Sequence, residues 1–323
     1  MLRHIFFQLS YALRIYRLLP SSPWVTVLCL HRVGVHSHPL FPPLSPNTFR
    51  KFIHLLKREF DFTTFTYLGV GDKPIACKRP FVILSFDDGY KDFMEYALPI
   101  LVEEKIPSNH NIIVDCVETG KPPWTQRFNN ILLKIFSLKK DFVIEKAAFH
   151  FRVNIKQSIH KVKKDLFKQL FNYDYPFLNE LASELENRLD MEQAQDQMMN
   201  WNDINECQRW GVEIGSHSYY HSPLCNPSDF WEKEISQSKI HIESRIGKVV
   251  HTFAFPNGLV HPEAYQAAVQ AGYRNILLIE GGSMLSVEHL SNQVGNYFRR
   301  LIRHASPYEN YFNVVGFHRL FHR

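Results

Sequence analysis

The 323-residue sequence has no CxxC pair, and its cysteines, Cys29, Cys77, Cys116, Cys207 and Cys225, are odd in number. That argues against a disulfide scaffold and leads us to expect a reducing compartment. No run reaches the ~20 uninterrupted apolar residues that a bilayer-crossing helix needs. There are no internal repeats and no low-complexity linkers, which argues against a solenoid or a string of tethered modules. The net charge is only +5 and the basic residues are scattered rather than gathered into a stripe, so no nucleic-acid partner is expected.

What remains is a chain that is 45% hydrophobic and rich in aromatics, with 26 Phe, long enough to bury a large α/β core. Its first residues, MLRHIFFQLSYALRIYRLLP, are interrupted by Arg3, Gln8, Arg14 and Arg17 and form no signal-peptide core. As a helix within residues 1–22 this segment is amphipathic, with basic and aromatic residues. It suits either a membrane surface or packing on the domain. The expected location is the cytoplasm, with this helix as the feature that would hold the protein peripherally at the membrane's inner face.

Strand and helix signals then alternate. WVTVLCLHRV reads as a strand, followed by a helix with Ser45 and Asn47 near its start and FRKFIHLLKREF as its body. FVILSFDDG is a nearly continuous apolar run, as expected for a parallel strand covered on both faces. A helix from Asp92 to Glu104 and the strand NHNIIVD follow. Residues 121–199 show helical periodicity and few strand signals, and read as an all-helical insertion. Then come GVEIGSHS, a helix from Pro227 to Ile246, VVHTFAFPNG, a helix from Pro262 to Ala271 and the strand RNILLIE. This alternation predicts parallel βαβ units over residues 23–300, in an open sheet or a barrel. The tail, residues 301–323, is basic and aromatic and carries no assignment.

Polar residues cluster where these strands end, and in α/β folds the C-terminal ends of strands are where ligands bind. Asp87 and Asp88 close the most hydrophobic strand. Two adjacent acids need a cation or a shared proton, although Asp-Asp-Gly also suits an ordinary turn. A turn at Gly89 would let both face a pocket. His217 and His221 close another strand, and a spacing of four brings two imidazoles to one face if a helical turn starts there, a recurrent metal chelate. One carboxylate with two histidines leaves positions open on the ion, as catalysis requires. Pro256, Asn257 and Gly258 close a third strand as a turn or a groove wall. His31 closes a fourth, where an imidazole suits proton donation. Cys29 and Cys225, close to these residues in sequence, read as small buried side chains.

SFDDGYKD, EIGSHSYYH and FAFPNG, in this order, resemble the first three motifs of the polysaccharide deacetylases (carbohydrate esterase family four). LCLHRVG resembles the subgroup that deacetylates poly-N-acetylglucosamine, in which an early histidine replaces a late one. The resemblance implies a distorted (β/α) barrel of about seven units with a helical insertion. It implies one divalent ion, zinc before cobalt or nickel, held by Asp88, His217 and His221. Asp87 would be the general base, His31 the proton donor to the leaving amine, and Tyr90, Pro256 and Asn257 substrate-binding residues. The partner would be an N-acetylated polysaccharide, oligosaccharide or lipid-linked precursor. The arginine that often precedes the third motif is missing, with His251 and Thr252 in its neighbourhood. The rival expectations are a non-catalytic glycan-binding relative and a metal-dependent phosphoesterase.

Overall fold

The computed structural model describes residues 2–15, 24–68, 79–192, 197–226, 231–279, 290–291 and 293–315. Cys77, Pro227 and the end of the C-terminal tail lie outside them. The strands are β1 (Val25–Leu30), β2 (Asp61–Phe62), β3 (Phe81–Asp88), β4 (Ser108–Ile112), β5 (Phe142–Lys146), β6 (Phe149–Val153), β7 (Val212–Ser216), β8 (Thr252–Ala254), β9 (Asn275–Ile279) and β10 (Gly295–Leu301).

Seven of them run parallel in the order β1-β10-β9-β8-β7-β4-β3, and β3 pairs back with β1 from Val25↔Phe81 to Leu30↔Phe86. The result is a closed seven-stranded (β/α) barrel wrapped by helices. Among the described residues, the two-residue β2 pairs only with the start of β3.

Strand alternation sorts β3 into two populations. Val82, Leu84 and Phe86 join the large core between barrel and helices, while Ile83 packs inside with Val27, Phe65, Ala254 and Leu277. Ser85 and Asp87 share the inward face, and both are buried. Around the barrel, β4 does the same: His110 turns outward against the rings of Phe86 and Phe93, and Asn109 and Asn111 turn inward. The barrel is therefore apolar in one layer and polar in the next, and the polar layer leads to the site.

The helices follow their sequence signals closely. Ser45 caps the Pro46–Leu56 helix by accepting from the Thr48 amide, and His261 caps Pro262–Gln270. The segment after Asp92 departs from a regular helix: a π-helical stretch, Phe93–Ala97, precedes Leu98–Glu103.

Two sequence expectations need correction. The insertion is not all helical: β5 and β6 form an antiparallel hairpin between the helices Trp124–Ser137 and Ile159–Leu170. Its turn places Ala147 at φ 51°, so the glycine or asparagine that usually announces such a turn is absent. The insertion packs around its own apolar core, from Trp124 and Phe128 to Leu185 and Leu189. The second correction is β10. It was not foreseen, because Arg299 and Arg300 interrupt its apolar pattern although both are buried.

Candidate active site

The site lies where β1, β3, β7, β8 and β10 end. At the end of β3, Asp88 has φ 78° and Gly89 has φ 91°. These successive left-handed residues break the strand's alternation, so both Asp87 and Asp88 line one cavity of about 290 Å³. After β7, Ser218 (φ 70°) and His221 (φ 61°) form an irregular turn. The two histidines therefore meet through this turn and not through a helical one. Their ring centres are 4.9 Å apart.

The turn is held from several sides. The His221 amide donates to Ser218 Oγ at 2.9 Å. Buried Glu234 accepts from the Tyr219 and Tyr220 amides at 3.1 and 2.9 Å and from the Ser222 hydroxyl. Trp124 Nε1, from the insertion, donates to the His221 carbonyl oxygen at 2.8 Å.

The ligand atoms of Asp88, His217 and His221 lie within 4.8 Å of one another. Asp88 Oδ1 stands 3.6 Å from His217 Nε2 and 3.7 Å from His221 Nε2. These gaps are too long for direct hydrogen bonds. They are near the roughly 3.3 Å between neighbouring ligands on a tetrahedral ion with bonds of about 2.0–2.1 Å. His217 Nδ1 donates to the Ala254 carbonyl oxygen at 2.7 Å, which sets the tautomer and leaves Nε2 as the lone-pair donor. The donor set thus fits a divalent ion. Burial first, and then the charge of Asp87, push Asp88 up to about 8. Both imidazoles are pulled down by burial, so their nitrogens are free to ligate.

Asp87 has a different environment. Arg299 Nη1 donates to its Oδ1 at 2.7 Å and Asn111 Nδ2 to the same atom at 2.8 Å. Burial opposes its charge, but the Arg299 guanidinium overcomes this and holds the carboxyl well below the usual range. Arg299 is the residue that sequence reasoning missed. It comes from β10, whereas the familiar arginine was sought before FAFPNG. Asn111 was missed as well. It needs the glycine of EIGSHS, because a Cβ on Gly215 would come within 2.2 Å of Asn111 Oδ1.

His31 gathers with Cys29 and Asp87, their polar atoms within 4.8 Å of one another. Desolvation pulls its imidazole down to about 4, so it is neutral at rest. Cys29 Sγ donates to Asp87 Oδ2 at 3.5 Å, and burial holds the thiol well above its ordinary value. With a guanidinium already on Asp87, this second group suits proton traffic better than a second ion.

Of the expected substrate-binding residues, Tyr90 and Asn257 line the cavity, and buried Pro256 does not. Tyr90 lies beneath Arg32, 4.5 Å from the ring centre, and Asn257 turns the chain at φ 58°. Phe41, Phe255 and, from the insertion, Gln126, Asn129, Lys163 and Phe167 complete the wall.

The polysaccharide deacetylase family model matches residues 173–276, which hold His217, His221 and the Phe253–Gly258 turn. The fold and this partial family match make the chain similar to the polysaccharide deacetylases. Among solved structures it is similar to the deacetylase PplD of Streptococcus pyogenes in complex with acetate, at 16% identity over 90% of this chain and 97% of that one (TM-score 0.57). It is similar to IcaB of Ammonifex degensii, at 15% identity over 92% and 98% (TM-score 0.54). A de-N-acetylase of Aggregatibacter actinomycetemcomitans matches at 15% over 85% and 94% (TM-score 0.52). At these identities the solved structures bear on the fold. No curated protein sequence matches the chain.

Proposed function

We propose that this protein is a metal-dependent N-deacetylase of amino-sugar glycans, acting on a polysaccharide, an oligosaccharide or a lipid-linked precursor. The observation that carries this reading is the convergence of Asp88, His217 and His221 on one point beside an Asp87 kept ionised by Arg299. Asp88, His217 and His221 would hold the ion, zinc being the first choice for two imidazoles and a carboxylate. When bound, a divalent ion supplies Lewis acidity for the acetyl carbonyl and for water.

The protein's own groups account for the proton. One proton must travel from the attacking water to the departing amine as a C–O bond forms and the C–N bond breaks, giving a free amine and acetic acid, which then ionises to acetate. Asp87, held in its ionised form by Arg299, accepts it. His31 is neutral at rest, so it receives the proton before passing it to nitrogen. By the family resemblance, a backbone amide near Tyr90 would donate to the developing oxyanion. Phe41, Phe255 and Phe167 offer faces for sugar rings.

We place the enzyme in the cytoplasm at the inner face of the membrane. Support comes from the helix Leu2–Ala12, which leaves Ile5, Phe6 and Leu9 exposed with Leu13 just beyond it. Among the described residues, no helix is long and apolar enough to cross a membrane.

The test is acetate release from N-acetylglucosamine oligomers and from nucleotide- or lipid-linked amino sugars, with Zn²⁺ or Co²⁺ restored after chelation. Asp87→Asn and His217→Ala should each lower kcat by at least about 1,000-fold, in line with losses seen on removing catalytic groups. Release that survives chelation, or survives His217→Ala, would overturn the metal-dependent reading.

A further inference from the structure

The inserted helices do more than cover the barrel: they place a cation in the wall of the reaction cavity. Lys163, on the Ile159–Leu170 helix, is half-buried and lines the cavity together with Asp87, Asp88, His217 and His221. Its Nζ donates to the Leu40 carbonyl oxygen at 2.9 Å and sits 5.4 Å from the Phe167 ring centre. Among the described residues it has no carboxylate partner. Burial lowers its pKa, as expected for a desolvated ammonium without a counter-charge.

An ammonium is a poor choice for tying down one loop carbonyl. A neutral amide would make the same hydrogen bond without the cost of desolvating a charge. An ammonium has three N–H donors, and the Leu40 carbonyl takes one. The other cation of this cavity, Arg299, is already neutralised by Asp87. In the same cavity wall, Asn129 is 4% exposed, and its Oδ1 is buried with no hydrogen-bond partner while its Nδ2 donates to Gln126 Oε1 at 3.0 Å. The insertion therefore offers the cavity an uncompensated cation, a spare amide acceptor suited to a hydroxyl and an aromatic face.

We propose that Lys163 is a specificity residue that reads a negative charge on the substrate, so that the preferred acetamido sugar carries a phosphate or carboxylate close to its N-acetyl group. This rests on the deacetylase reading for the reaction, but not for the binding.

The experiment compares the wild-type chain with Lys163→Met and Lys163→Arg. Binding is measured by calorimetry and KM by acetate release, using N-acetylglucosamine 1-phosphate, an N-acetylated hexosaminuronate and neutral N,N′-diacetylchitobiose. The wild-type protein should favour at least one charged sugar by about tenfold, the worth of about 1.4 kcal/mol. Lys163→Met should lose that preference, Lys163→Arg should keep most of it, and affinity for the neutral sugar should stay unchanged. Which charged sugar is favoured distinguishes a phosphate from a uronate substrate. The proposal is overturned if the wild type shows no charge preference, or if Lys163→Met weakens neutral and charged sugars alike, the signature of a structural tie. Acetate release without charge preference would sink the subsite and leave the deacetylase standing. Lys163-dependent anion binding without release from any acetamide would do the reverse.

Discussion

At the scale of single residues, adjacent acids that look alike in the sequence are separated by their neighbours. Asp87 meets Arg299 and Asn111; Asp88 meets two imidazoles. Replacing Arg299 with Met removes the main group that opposes burial, so the Asp87 carboxyl should rise from its depressed state. A base that must be ionised loses activity as pH falls through its pKa. The acid limb of kcat/KM should therefore move to higher pH, with a loss of about 100-fold near neutrality. The same change strands a buried carboxylate and should cost about 3–5 kcal/mol of stability. Adding Asp87→Asn should return much of that stability without returning activity. A pH profile of Arg299→Met that overlays the wild type would show that Arg299 does not set the state of Asp87. Asp87, Asp88, His217 and His221 were legible because each sits where an apolar run stops. Arg299 was not, because a buried arginine looks like a surface residue until its carboxylate partner, from another strand, is in view.

At the scale of elements, legibility followed the strength of the local signal. β3 and β9 are continuous apolar runs and were evident. β10 is interrupted by two arginines, and the hairpin of β5 and β6 turns on an alanine, so neither advertised itself. The turn after β7 was only half legible. The spacing of His217 and His221 was plain, but the irregular backbone that joins them depends on Glu234, a residue of the following helical segment. Glu234 carries a buried carboxylate, raised by burial, whose acceptors meet two amides and a hydroxyl. Glu234→Ala removes the acceptor of the Tyr219 and Tyr220 amides and the partner of the Ser222 hydroxyl together. The turn should loosen, and affinity for Zn²⁺ or Co²⁺ in a chelator competition should fall by about 10- to 100-fold, as for other supports of metal ligands. Unchanged affinity would mean that the turn holds its shape without this carboxylate.

At the scale of the whole molecule, alternation of strand and helix was enough to read a parallel α/β fold, while closure into a barrel required β10, which pairs β9 to β1. The N-terminal helix was read two ways, and its two sides differ. One side packs on the barrel's outer helices: Phe7 lies 5.5 Å from Phe312, and Tyr11 lies 5.6 and 5.1 Å from Tyr308 and Tyr311. The other side leaves Ile5, Phe6, Leu9 and Leu13 between 41% and 74% exposed. A helix anchored on one face and apolar on the other is suited to a lipid surface. Because Phe6 and Leu9 are about half exposed already, changing both to Ser should barely alter thermal stability. Each would withdraw on the order of 1 kcal/mol of apolar contact from a membrane, so the pair should weaken partitioning onto anionic vesicles by about tenfold or more. Co-sedimentation of wild-type and doubly substituted chains with phosphatidylglycerol vesicles measures this directly. If the wild-type chain stays in the supernatant, or both chains pellet equally, the exposed face does not engage lipid and the placement at the membrane falls. If only the substituted chain is released, Phe6 and Leu9 carry the lipid contact and the helix can act as a tether.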